Sequence, residues 1–222
     1  MLVAVAFVPS PPLLLTALGG GPDWLTEACA QAIGALGEVE RIVVVGAAPV
    51  GGWTTGSIDA TPYGAPGPRA PGPTPPDPLP LSLSVGATLL GDRDVELYGL
   101  GSGPLPALTG RVGVLAVGDG SARRTDKGPG HLDPRAAAYD AGIERALAAG
   151  DPVLLGGLDA DLGAALMVGG LAVWRAVAAA ALAEVAPGGA APAGWTGTVQ
   201  LATAPYGVGY FAATWTPRPI SS

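Results

Sequence analysis

Val114-Leu-Ala-Val-Gly-Asp-Gly-Ser-Ala-Arg-Arg124 decides how this chain folds. A short apolar run enters a Gly-Asp-Gly turn and releases small polar side chains at its end. A run of that length without alternation reads as a strand buried on both faces, as parallel sheets require. In open α/β sheets, ligands bind outside the carboxyl ends of such strands. Asp119, Ser121, Ala122, Arg123 and Arg124 therefore stand where a site is expected. Their plain reading is turn chemistry: Asp bonds its own backbone and Ser caps the next few residues. Their functional reading is the floor of a pocket for a small polar or aromatic ligand. Adjacent side chains diverge, so one arginine at most enters the crevice, where it suits a carboxylate. The other is expected to pair with an acidic surface residue.

Outward from this stretch the same grammar repeats. Residues 2–8 and 41–45 are short Val-rich runs, read as buried strands, and residues 95–100 and 112–117 as two more. Between the first two, Pro22 suits a first helical position, and a helix runs on through Leu36. This β-α-β order implies parallel pairing with a right-handed crossover. Residues 81–90 read as a short helix. Residues 134–149 read as another, with Asp133 as N-cap, Pro134 at its first position and Gly150 ending it. Residues 159–185 hold one broken helix or two consecutive ones. Residues 196–204 and 208–215 read as strands joined by the turn Pro205-Tyr-Gly207. The expected architecture is a three-layer α/β fold over residues 1–222: a central, partly parallel β-sheet with helices on both faces.

Residues 47–80 break the pattern. They are crowded with Gly and Pro and read as a long irregular excursion. Pro73-Thr-Pro-Pro76 within it has extended, polyproline-like character.

Three loops leave carboxyl ends of expected parallel strands: residues 9–12, 46–52 and 118–124. They should converge on one crevice. Ser10, Ala48, Asp119, Ser121, Ala122 and Arg123 are its candidate lining. Ser10 has no Gly-x-Ser-x-Gly elbow around it and reads as a structural serine between prolines. Tyr206 and Tyr210 either line the crevice mouth or pack a hairpin end onto the core. His131, in a turn-rich loop, is the one histidine of the chain. It is either an exposed loop residue or a titratable group near the site.

Composition narrows the function classes. The formal charge of −7, from 18 acidic and 11 basic residues, argues against nucleic acid or an anionic membrane as partner. Cys29 is the sole cysteine, so no internal disulfide forms, and a reducing cytoplasm is the expected location. The first eight residues are too short an apolar run for a signal peptide and are read as a strand. The apolar stretch 162–182 contains Arg175 and Gly169-Gly170, and reads as a small-residue helix in a core rather than a membrane span. Gly19-Gly-Gly21 lacks the Lys-Ser/Thr of a P-loop.

The loop sequences and element order resemble the class III extradiol ring-cleavage dioxygenases, typified by the catalytic β subunit of protocatechuate 4,5-dioxygenase. That family opens with a strand and a Pro-His-Pro-Pro-like turn whose histidine binds iron. Here the turn is Pro9-Ser-Pro-Pro12. A second iron histidine follows the family's second strand, where this chain has Gly46-Ala-Ala-Pro49. A Gly-Asp-x-Ser-His motif carries the family's acid–base histidine, where this chain has Gly118-Asp-Gly-Ser-Ala122. The family's glutamate ligand maps near Gly170 or Leu171, ahead of Trp174.

The resemblance thus implies Fe(II) chemistry, while the mapped positions carry Ser10, Ala47 or Ala48, Ala122, and Gly170 or Leu171. Ring opening needs two imidazoles and a carboxylate on Fe(II). One histidine in the whole chain cannot supply them. The expectation is a metal-free family member, inactive in ring cleavage, with a binding, regulatory or structural role. It would act as a homo-oligomer or beside a partner subunit. The alternatives are a metal-free enzyme working through Asp119, Ser121, an arginine and His131, or an Fe(II) dioxygenase completed by another chain.

Overall fold

The computed structural model describes residues 1–66, 77–184 and 194–218. Pro73–Pro76, expected to be polyproline-like, lies outside the described residues, as does residue 185.

Seven strands form one sheet: β1 (Leu2–Val8), β2 (Arg41–Ala47), β3 (Gly52–Thr54), β4 (Glu96–Leu100), β5 (Val112–Val117), β6 (Trp195–Thr203) and β7 (Tyr210–Pro217). Their spatial order is β3-β4-β2-β5-β1-β7-β6. The four central strands are parallel, in registers such as Val45↔Ala116 and Phe7↔Ala116. The two edges are antiparallel, with β3 on β4, and β7 on β1 and β6. The fold is therefore the three-layer, partly parallel α/β architecture.

Central strands buried on both faces explain the unbroken apolar runs. Leu2, Val5 and Phe7 of β1 enter one core, and Ala4, Ala6 and Val8 the other. The first core is covered by α3 (Ala136–Ala149), α4 (Pro152–Gly156) and α6 (Leu171–Glu184). The second is covered by α1 (Asp23–Gly34) and α2 (Leu81–Leu90). Between α4 and α6 lies α5 (Ala160–Ala165), capped by Asp159, whose Oδ1 accepts from the Leu162 N–H at 2.9 Å. The stretch 159–184 is thus two consecutive helices. Among the described residues no helix is long and apolar enough to cross a membrane. The apolar face of α6, through Val173, Trp174, Val177, Ala178 and Ala181, is spent on the core.

Several boundaries differ from expectation for local reasons. Pro22 is the N-cap residue of α1, and Asp23 opens the helix, where a carboxylate meets the positive end of the helix dipole. Asp133 does not cap α3. Its Oδ1 accepts the Arg135 N–H at 2.9 Å, and the Arg135 guanidinium grips the same carboxylate, so a turn forms and the helix begins at Ala136. That guanidinium holds the Asp133 carboxyl down at about 2. Gly150 ends α3 as expected, in the left-handed region at φ 61°. The excursion after β2 contains the three-residue β3, too short for periodicity to reveal.

Cys29 lies fully buried on α1. Burial pushes its thiol up to about 12, so almost no thiolate exists near neutrality. An aromatic disulfide reagent at pH 7.5 should leave the folded protein unlabelled and titrate one thiol per chain after denaturation. Rapid labelling of the native protein would contradict this packing.

Candidate functional site

The connection from β1 runs to α1 on one face of the sheet, and the connection from β5 runs to α3 on the other. β1 and β5 are neighbours. Their diverging loops define a topological switch point, where a doubly wound sheet opens a crevice at its carboxyl edge. Ser10 follows β1 and Asp119 follows β5, so both stand at this switch point.

The two residues are bonded to each other. The Ser10 N–H donates to Asp119 Oδ1 at 2.7 Å, and its hydroxyl to Oδ2 at 2.9 Å. Ser10 is itself buried. The Asp119 backbone is held as well: its carbonyl accepts the Gly170 N–H at 2.7 Å. Burial pushes the Asp119 carboxyl up to about 6, although both bonds from Ser10 pull it down. Tyr210, buried behind this turn, has its phenol raised by burial first and then by the Asp119 charge.

Gly118 and Gly170 pack with no room between them: a Cβ on Gly118 would collide with the Gly170 Cα. A Cβ on Gly170 would in turn strike the Trp174 indole. Trp174 is buried, and its Nε1 has no hydrogen-bond partner among the described residues.

The rest of the turn is structural. Ser121 is fully buried, and its hydroxyl donates to the Leu166 carbonyl and accepts from the Arg123 N–H. The Ala122 N–H donates to the Leu166 carbonyl, and the Ala122 carbonyl accepts from the Gly130 N–H. The Gly120 N–H donates to the Gly209 carbonyl, and the Gly209 N–H to that of Ser121, which ties the turn to the β6–β7 connection. Arg124 pairs with Asp140 at 2.8 Å. Its partner is thus a buried carboxylate on α3 and not the acidic surface residue expected. Arg123 is half-buried, with an Nε that meets no partner among the described residues.

Asp140 is the carboxylate that anchors this turn, and the sequence did not single it out. It is 2% exposed and also accepts the Ser121 N–H at 2.9 Å. Burial raises its carboxyl, opposed by Ser121 and Arg124. The signal was a carboxylate on the apolar stripe of α3, one turn after Ala136 and three residues before Ile143.

The other candidates lie apart. The Ala48 N–H donates to the Leu100 carbonyl, and its methyl lies over Gly99 of β4, so this loop turns toward the β4 side. His131 is exposed at φ 57°, with Nδ1 3.3 Å from the Asp126 carbonyl oxygen. Tyr206 is 52% exposed, lines a cavity of about 580 Å³ with Thr125, Asp126 and Lys127, and leans on Tyr210 at 6.3 Å.

These residues do not fit an Fe(II) site. The one carboxylate at the switch point already takes two bonds from Ser10, and no imidazole stands among the side chains that hold it. Among the described residues no group of three or more His, Cys, Asp or Glu is placed to hold a metal ion. What the arrangement offers is a carboxyl that titrates near neutrality beside a hydroxyl. No protein-family model matches the chain, and no curated protein does.

Proposed function

We propose that this chain is a degenerate member of the class III extradiol ring-cleavage dioxygenase superfamily, with the α/β frame kept and ring cleavage lost. One observation carries the reading. Of the four positions at which the resemblance places the family's site, Ser10 bonds to Asp119, Gly170 (one of the two residues at the glutamate position) bonds to the Asp119 carbonyl, Ala122 lies three residues on in the same turn, and Ala47–Ala48 lies apart, toward β4. None of them presents an iron ligand, and a serine–aspartate bond occupies the switch point. The role is binding, regulatory or structural. It is exercised in the cytoplasm on a small polar or aromatic ligand, or beside another subunit or copy.

A second reading, a metal-free enzyme, draws on the Asp119 carboxyl near 6. A group titrating there serves as general acid or base at physiological pH.

Anaerobic reconstitution with Fe(II), desalting and metal analysis tests the first reading, together with oxygen uptake on protocatechuate and catechol. The expected result is no stoichiometric iron and no ring-opened product. One tightly held iron per chain, or catechol-dependent oxygen uptake, would overturn it.

A further inference from the structure

Apart from the Ser10–Asp119 turn, the first two turns of α6 carry a second, independent feature. Val173, Trp174 and Val177 enter the core, while Ala172 and Arg175 are exposed and Ala176 is half-buried. Leu171 and Arg175 stack one turn apart on the helix, as do Ala172 and Ala176. With Ala160 of α5 and Gly103 of the loop after β4, these four line a cleft of about 410 Å³. That volume is of small-ligand size. The α5 wall is fixed. Leu171 Cδ2 and the Tyr139 hydroxyl both lie in the room that the missing Cβ of Gly163 leaves. That hydroxyl donates to the Asp159 carbonyl at 2.7 Å. Ala160 and Gly163 are three residues apart on α5, so Ala160 turns to the same side.

The chemistry of the lining selects the occupant. Arg175 is its one charged residue. The guanidinium has no hydrogen-bond or ion-pair partner among the described residues. Its charge reaches the α5 wall: burial and then the Asp159 charge raise the Tyr139 phenol to about 12, and Arg175 opposes them. The nearby carboxylates are placed elsewhere. Asp159 Oδ1 accepts the Leu162 N–H, and neither Asp159 nor Asp161 lines the cleft. Glu184, the other charged residue of α6, stands at the far end of the helix on the Leu2 N–H. A cation is therefore repelled. A phosphate dianion would meet one guanidinium and methyl groups on its other sides. A single carboxylate matches one guanidinium in a bidentate pair. The Leu171 side chain and the methyl groups of Ala160, Ala172 and Ala176 then face a hydrocarbon body, and no aromatic ring stands among them to stack a planar one. We propose that this cleft binds a medium-chain aliphatic monocarboxylate, its carboxylate on Arg175 and its chain along the alanines. The cleft is separate from the Ser10–Asp119 site, so the iron and oxygen-uptake results bear on it neither way.

The test is a titration of the ¹⁵N-labelled protein with butanoate, hexanoate, octanoate, hexylammonium and N-acetyl-leucine, reading the backbone amides of Ala172, Arg175 and Ala176. The expected result is a saturable shift with octanoate at a Kd of about 1 mM. Affinity should fall about fivefold for each two methylenes removed. Arg175→Gln should weaken octanoate binding at least fivefold. Arg145→Gln, at an exposed arginine on α3, should bind as the wild type does. Arg175 holds no other residue in place, so circular dichroism should show both variants folded. The proposal is overturned if octanoate gives no saturable shift, or if Arg175→Gln binds it equally well. It is also overturned if affinity does not depend on chain length, or if hexylammonium binds as tightly as hexanoate. Tighter binding of N-acetyl-leucine than of octanoate would overturn it in favour of a peptide carboxyl terminus.

Discussion

Asp119→Asn is expected to stabilise the protein at pH 7, by on the order of 2–3 kcal/mol. The native carboxyl titrates near 6, against an ordinary value of 3.8, because burial penalises its charged form. As pH falls, the native state takes up this proton before the unfolded state does. The native state therefore binds more protons between about 4 and 6, and stability rises as pH falls through that window. Above it the folded protein carries a charge it would be more stable without. Asparagine keeps the geometry: its oxygen accepts the Ser10 N–H and its amide donates to the Ser10 hydroxyl. Urea unfolding of both proteins from pH 4 to 8 measures the effect. The gap between them should be widest at pH 7 and close as pH approaches 4. In a domain of this length the melting temperature should rise by roughly 5–10 °C. Equal stability at pH 7 would show that the carboxyl is not held against its preference. A destabilising charge retained at a switch point is the pattern expected of a group kept for use.

Asp140→Ala should act in the opposite direction, with a loss of about 3–5 kcal/mol. Removing this carboxylate leaves the buried Ser121 N–H without its acceptor and the half-buried Arg124 without its partner. It also empties the space beside Gly120 and Gly209, where the Asp140 carboxylate lies in the room their missing Cβ atoms leave. The 118–124 turn should loosen before the sheet does. Hydrogen exchange at the Ser121 amide should therefore accelerate by more than at β5 amides. A loss below 1 kcal/mol, with Ser121 still protected, would show that the turn holds itself.

The strands β1, β2 and β5 were legible in sequence because burial on both faces leaves a continuous apolar run, which polar loops then bracket. Helix α4 carries a local signal as well. Asp151-Pro152 is an N-cap followed by a first-position proline, and the Asp151 carboxylate accepts from the Val153 and Leu154 N–H groups. β3 could not be read, since three residues pair only because β4 offers them an edge. The site divides the same way. Ser10 and Asp119 could be placed at strand ends from spacing alone. Their bond, the grip of Asp140 and the Gly118–Gly170 contact all join residues far apart in sequence, and only the fold brings them together. His131 drew attention through its residue type, yet its loop carries the ring outward.

The position of β1 has a kinetic consequence. It lies at the heart of the sheet, with Val5 beside Val114 on one flank and beside Trp215 on the other. Neither neighbour is local, and the second arrives almost a whole chain later. Closing such loops spends entropy before any contact returns it. Folding should accordingly be slow for a domain of this size. Until β7 docks, β1 presents an apolar, unpaired flank, and in that interval the chain is most open to pairing with the wrong strand.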